Sequence, residues 1–337
     1  MMRRVTYLVY LYPRLEETYI STELSRVKKD FEIDLISMMP PEGDAEPDVR
    51  YVVEQDEAKI LERTRAFAPD VIHTHWLWGP QLDIACRLAK TLDLPLTIRA
   101  HSFDVLGFQD DDPTSPIATH RDFLLSDHCL GILTFPFGVA RLARAGIPES
   151  KLIPCQPVVD YERFHDESPN GSGVMNVGAC LPKKDFPAYL QLATRVPEQQ
   201  FELYAVGRQV EALRETNRTL GSPVAIHPPV PHDQMPSVYK QHEWLIYTAN
   251  RDLATVGWPV CIAEAQASGV GVCMPNLRPD IKEWVGPAGF VYDSLDDVVD
   301  ILQQPYPASM RSAGFEHARR SDVREHLPLL TNLWDQA

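Results

Sequence analysis

The sequence predicts an α/β protein of two doubly wound, Rossmann-like units. Each unit is expected to be a parallel sheet covered by helices on both faces. Three observations carry this. Short apolar, β-branched runs alternate with stretches of helical periodicity. The runs are near-continuous in apolar character, as strands buried on both faces are. They fall into two series of similar length within 337 residues, beyond the ~250–300 at which a single core stops growing.

The first series occupies residues 5–11, 31–38, 71–75, 96–99, 129–134 and 152–157, with helical patterns over 22–29 and 81–92. The run 5–11 follows Arg3 and Arg4 but ends at Pro13 without a small-residue cleavage site. It therefore reads as a first buried strand and not as a signal peptide. Regularity lapses over 167–173, where Pro169, Gly171 and Gly173 mark a linker. The second series occupies 174–177, 201–206, 224–226, 244–247, 270–273 and 290–292, with helical patterns over 186–194 and 262–267. A helical tail over 315–335 closes the chain. The expected domains are 1–166, 167–314 and a C-terminal helix within 315–337 that packs back on the first domain.

Composition removes several function classes. Lys and Arg total 32 against 47 Asp and Glu, a net charge of -15, which argues against nucleic acid as main partner. No run of 18 apolar residues exists to span a bilayer. The six cysteines (Cys86, Cys129, Cys155, Cys180, Cys261, Cys273) are scattered without a Cys-x-x-Cys pair. That scatter fits reduced thiols and a cytoplasmic setting. Only Arg3, Arg4, Lys28 and Lys29 suggest a basic face for weak association with the inner membrane surface.

In open parallel sheets ligands bind at the carboxyl ends of strands, which ranks the polar residues. Gly178, Pro182, Lys183 and Lys184 follow the first strand of the second series and open a helix. A lysine with free backbone N–H groups suits a diphosphate, although a solvated lysine pair is the plain alternative. Glu264 stands alone among apolar residues of a helix, placed either to accept bonds from vicinal hydroxyls or to cap or pair. His73 and His75 share one face of a strand, and a metal there requires a third ligand from elsewhere; satisfied core histidines are the other reading. His101 with Asp104 reads as an acid/base or sugar-hydroxyl pair, or as a structural hydrogen bond. The run Gln109, Asp110, Asp111, Asp112, Pro113 reads as a solvated loop.

These constellations, in this order, resemble the family 4 retaining glycosyltransferases of the GT-B architecture. The matching stretches are Pro13 to Ile20 with Glu17-Thr18 at its centre, His73 to Trp76, Arg99 to Asp104 and Pro157 to Phe164. They continue through Val177 to Lys184, Glu264 to Val270, and Glu283 to Val291, so the resemblance spans nearly the whole chain. It implies two domains facing across a cleft, acceptor on the first and donor on the second. It implies transfer of a sugar from a nucleotide-diphosphate sugar to a saccharide or lipid-linked acceptor, with retained configuration, in polysaccharide or glycoconjugate synthesis. No cofactor and no metal are implied. The catalytic positions implied are His101, Lys184 and Glu264; the donor-binding ones are Gly178, Lys183, Lys184, Arg208, Val260 and Glu264. Glu17, Thr18, His75 and Asp104 would serve the front loop and acceptor.

Two positions depart from that pattern. Ala179 stands where the family carries a phosphate-binding arginine, and Val256 where it carries a glutamate facing the donor sugar. Arg208 is the expected replacement for the first, and Asp252 or Thr255 for the second. These departures keep two rivals open: a degenerate GT-B protein that binds nucleotide or glycan without turnover, and a sugar-nucleotide epimerase.

Overall fold

A computed structural model describes residues 2–41, 47, 49–108, 112–253 and 255–337. Thirteen strands are present among them: β1 (Arg3–Leu11), β2 (Phe31–Met39), β3 (Tyr51–Val53), β4 (Val71–His75), β5 (Leu96–Arg99), β6 (Cys129–Thr134), β7 (Leu152–Pro154), β8 (Gly173–Ala179), β9 (Phe201–Val206), β10 (Val224–His227), β11 (His242–Ile246), β12 (Gly271–Pro275) and β13 (Gly289–Tyr292). All pair in parallel, in a seven-stranded sheet of order β3-β2-β1-β4-β5-β6-β7 and a six-stranded sheet of order β10-β9-β8-β11-β12-β13. Each order reverses once, at β1/β4 and at β8/β11, the signature of a doubly wound Rossmann-like unit.

The strand pattern alternates as its pleat requires. In β1, Val5, Tyr7 and Val9 join one core with Leu24, Val27 and Trp334, while Leu8 enters the opposite core with Ile72, Leu82 and Ile98. The second sheet carries its own core around Val174, Leu190, Leu203, Trp244 and Val298. Among the described residues no helix is long and apolar enough to cross a membrane. The cysteines are unpaired.

The chain divides into two compact units, Met1–Val158 with Val323–Ala337, and Val159–Asp322. This places the division at 158/159 and not at 166/167. The Val159 N–H donates to the Ser321 carbonyl at 2.8 Å, and the Ser268 hydroxyl donates to the Phe164 carbonyl at 3.1 Å. Those bonds bind the segment before the expected linker into the second unit. The tail is two helices and not one. Ala308–Arg319 belongs to the second unit, and Val323–Asp335 packs on the first, where Trp334 is fully buried. The short edge strand β3 has no counterpart in the sequence reading.

Candidate functional site

Register builds a polar lattice on one face of the first sheet. Tyr7 on β1 stands opposite His73 on β4, His73 opposite Thr97, and His75 opposite Arg99 on β5. All five are buried. The helix Thr18–Val27 covers them with Glu23, which sits on the same buried stripe as Ile20, Leu24 and Val27 and is itself 0% exposed. Sequence reasoning missed Glu23. The available signal was a carboxylate in the middle of an apolar i, i+3, i+4, i+7 stripe.

Glu23 is the hub. Its Oε2 accepts from Arg99. Its Oε1 accepts from the Tyr7 hydroxyl at 3.0 Å and from His75 Nε2 at 3.2 Å. Burial works to raise its pKa, but the charge of Arg99 and the histidine donors outweigh it and hold the carboxyl well below its usual range. Burial drives the histidines the other way. His73 falls to about 4, His75 is lowered, and His101 lies well below its ordinary value. The lattice is therefore one carboxylate, one guanidinium and neutral imidazoles.

His101, two residues beyond β5, sends Nε2 to His75 Nδ1 at 3.2 Å. Its ring lies 4.5 Å from that of Tyr19 and 4.4 Å from that of Trp76. Asp104 does not touch the His101 ring. Its carboxylate accepts the backbone N–H of His101 at 2.8 Å and of Leu77 at 2.6 Å, so it clamps the loop after β5. Burial raises its pKa to about 6 even against those bonds. The expected His101–Asp104 pair is thus a structural hydrogen bond, its partner being the main chain.

Glu23 also supplies the third ligand that two histidines on a strand lacked. Ligand atoms of Glu23, His73 and His75 lie within 4.8 Å of one another. The charges work against a cation: Arg99 already neutralises Glu23, and a divalent ion would leave a net +2 in a site sealed from water.

Glu17 lies just ahead of Thr18 and pairs with Arg14 at 3.1 Å. Two residues of the suggested basic face are engaged elsewhere. Arg3 lies 3.7 Å from Asp335 and Arg4 3.1 Å from Glu32. Of the acidic run, Gln109, Asp110 and Asp111 lie outside the described residues, and Asp112 accepts the Thr114 N–H at 2.8 Å.

In the second unit, Lys184 follows β8 at the strand-order reversal. The turn is tighter than expected. Pro182–Lys184 form a single 3₁₀ turn, Asp185 is left-handed (φ 47°), and the α-helix begins only at Phe186. The lysines thus precede the helix and do not open it. Lys184 Nζ lies 4.3 Å over the Tyr247 ring, has no carboxylate partner among the described residues, and is lowered in pKa by burial. Gly178 makes the space: at φ +137° a Cβ there would stand 3.2 Å from Nζ. The Lys183 carbonyl accepts from Asn250 N–H at 3.1 Å, tying the turn to the segment after β11.

Glu264 lies on the helix Val260–Ala267, where Val260 is the first residue. Its carboxylate accepts from His232 Nε2 at 2.9 Å and from the Tyr239 hydroxyl at 2.8 Å, two partners the sequence did not reveal. Arg208 is exposed on the turn after β9. Val256 is 2% exposed, with its carbonyl held by Arg278 at 2.6 Å, while Asp252 is exposed.

No family model matches the chain, and no curated protein matches it significantly. Solved structures do. HepE of Anabaena, in complex with UDP and glucose, superposes over 100% of both chains with a TM-score of 0.79 at 13% identity. Sucrose-phosphate synthase from Thermosynechococcus elongatus gives 0.72 at 14% identity, over 99% of this chain and 98% of its own. The apo lipopolysaccharide outer core galactosyltransferase WaaB gives 0.63 at 13% identity, over 99% of both. At such identities the likeness is one of fold: the chain has the two Rossmann-like α/β domains of these glycosyltransferases.

Proposed function

We propose that the protein is a glycosyltransferase that moves a sugar from a nucleotide-diphosphate sugar to a saccharide or lipid-linked acceptor with retained configuration. The observation that carries this reading is Lys184, a part-buried cation without a carboxylate partner among the described residues, set beside Gly178 at the strand-order reversal of the second unit. A part-buried cation without a neutralising carboxylate invites an anionic ligand, and this position in a doubly wound sheet is where ligands bind. The whole-length likeness of fold to HepE, whose structure holds UDP and glucose, supports a nucleoside diphosphate as that anion.

Glu264 is the proposed ribose contact. Its two oxygens each retain a lone pair beyond the bonds from His232 and Tyr239. In the reaction the anomeric C–O bond to the diphosphate breaks and the acceptor hydroxyl bonds to the same face. Its proton passes to the departing phosphate oxygen. Lys184 stabilises the charge developing on that oxygen, a role typically worth 10²–10³ in rate. We propose that the reaction needs no metal; the charge balance around Glu23 and Arg99 disfavours a cation at the cluster of Glu23, His73 and His75. The unpaired thiols support a reducing, cytoplasmic setting.

A second reading, binding without turnover, is favoured by Ala179 and by the sealed Val256. Incubation with a panel of nucleotide sugars in the presence of a chelator separates the readings. Donor cleavage to the nucleoside diphosphate supports transfer. Binding of UDP-glucose or a congener without product supports the second reading, and isomerised sugar indicates an epimerase.

A further inference from the structure

The histidine lattice contains a directed chain of hydrogen bonds with only one consistent assignment of protons. An ionised carboxylate only accepts. Because Glu23 Oε1 faces His75 Nε2 at 3.2 Å, the proton of neutral His75 must sit on Nε2. That leaves Nδ1 of His75 as an acceptor. His101 Nε2, 3.2 Å away, must therefore be the donor. A neutral imidazole carries one N–H, so Nδ1 of His101 presents a bare lone pair. That nitrogen has no protein partner among the described residues and is not sealed from solvent, and the residue keeps 6% of its surface exposed.

We infer that Glu23 and His75 are positioning residues that lock His101 in the Nε2–H tautomer, so that its free edge accepts a hydroxyl and rejects an anionic oxygen. Among the described residues nothing else near the ring competes for the assignment. Tyr19 and Trp76 pack against the ring, and Asp104 bonds only the main chain of His101. Arg99 fixes the starting point. It occupies Glu23 Oε2 and keeps the carboxylate ionised. His73 meets the same hub without touching His101: its Nε2 lies 3.4 Å from Glu23 Oε1, its Nδ1 faces Thr97 at 2.9 Å, and Thr97 accepts from Trp334 Nε1 at 2.9 Å. The choice of a sugar hydroxyl as the ligand rests on the proposed transferase reading; the tautomer itself does not. With a bare lone pair, His101 is suited to a neutral carbohydrate hydroxyl and is unsuited to the diphosphate.

The geometry makes a sharp forecast for Glu23→Gln. Arg99 still requires an acceptor where Oε2 was, so the amide oxygen turns there and the NH₂ takes the place of Oε1. The amide then donates to His75 Nε2. The proton of His75 moves to Nδ1, His101 Nε2 becomes an acceptor, and the His101 proton moves to Nδ1. One isosteric change two links away inverts the donor and acceptor edges of His101.

Long-range ¹H–¹⁵N NMR on ¹⁵N-histidine-labelled protein, without substrate at neutral pH, tests this, with His101→Gln to assign the signal. Expected in the unmodified protein is a pyrrole-type Nε2 and a pyridine-type Nδ1 for His101, with the two exchanged in Glu23→Gln. A second variant, His75→Phe, keeps a ring of similar size beside Tyr19. It removes the acceptor, so the signal should relax to the averaged mixture of a free imidazole. A proton on Nδ1 of His101 in the unmodified protein overturns the inference, as does a signal unmoved in both variants. Either failure leaves sugar transfer standing, and failure of the donor panel leaves the tautomer standing.

Discussion

His73 offers a quantitative check on the buried lattice. It is 0% exposed, packed 4.7 Å from the Tyr7 ring and 5.7 Å from the Trp334 ring, and its pKa falls to about 4 from an ordinary 6.5 because burial penalises the charged form. The sign follows from proton binding. Between those two values the unfolded chain binds more protons than the folded one, so stability falls as pH drops through the window. Linkage gives about 2 kcal/mol of loss between pH 7 and pH 5 from this residue alone. Asp104 acts oppositely. Its raised value, about 6 against an ordinary 3.8, lets the folded state hold the extra proton, and that stabilisation fades as pH rises through 6. Comparing one substitution across pH cancels Asp104.

His73→Phe keeps the ring and removes the titration. The bond to Thr97 is lost at every pH, a constant offset of ~1 kcal/mol. Urea unfolding followed by hydrogen-exchange mass spectrometry on peptides covering β4 and β5 reports the first unit by itself. The unmodified protein should lose about 2 kcal/mol more than the variant between pH 7 and pH 5. Equal losses in both would mean that His73 titrates normally when folded, and the account of a sealed, neutral lattice would fail.

Three further outcomes are expected. Lys184→Ala should weaken UDP binding by roughly 10- to 100-fold by calorimetry, the weight of a charge-assisted contact of 1.5–3 kcal/mol, and unchanged affinity would remove its assigned role. Gly178→Ala forces a Cβ to 3.2 Å from Lys184 Nζ in a left-handed backbone, so UDP affinity should fall while the first unit's unfolding stays unaltered. Trp334→Ala should cost ~3–5 kcal/mol in the first unit, since the indole is fully buried and its N–H holds Thr97. Peptides from the second unit should keep their exchange protection; matching losses in both units would contradict the division of the chain.

The fold was legible because its signals are local. Each parallel strand is an apolar run bounded by turn residues, and only the three-residue edge strand β3 carries too little pattern to register. Lys184 was legible for the same reason: strand, glycine, proline and lysine lie within a few residues of one another. Glu23 was not. The helical pattern read as starting at 22 cut the stripe off below Ile20, hiding a carboxylate in the middle of a core face. Its partner Arg99 is separated by 76 residues and arrives through the β4–β5 register. His232 and Tyr239 likewise reach Glu264 only through tertiary packing. The Asp104 carboxylate shows the converse limit. A spacing of three after His101 fitted a side-chain pair, yet the chain turns so that the backbone N–H is what it meets.

The balance of charge gives a final expectation. The protein carries a net -15, yet its proposed ligand is an anion. The two facts coexist if attraction is confined to short range. A contact between Lys184 and a phosphate oxygen is close and partly shielded from solvent, so salt screens it weakly, whereas repulsion from acidic groups farther off than the ~8 Å Debye length at physiological ionic strength is largely screened. Remote repulsion is therefore what salt removes first. Association of UDP, followed by stopped flow, should accelerate or stay level as salt rises from ~0.05 to ~0.2 M, with dissociation only slightly faster. An association rate that instead falls steeply over that range would reveal a basic approach path. The ligand would then be steered by a field, and Lys184 would be one cation among several.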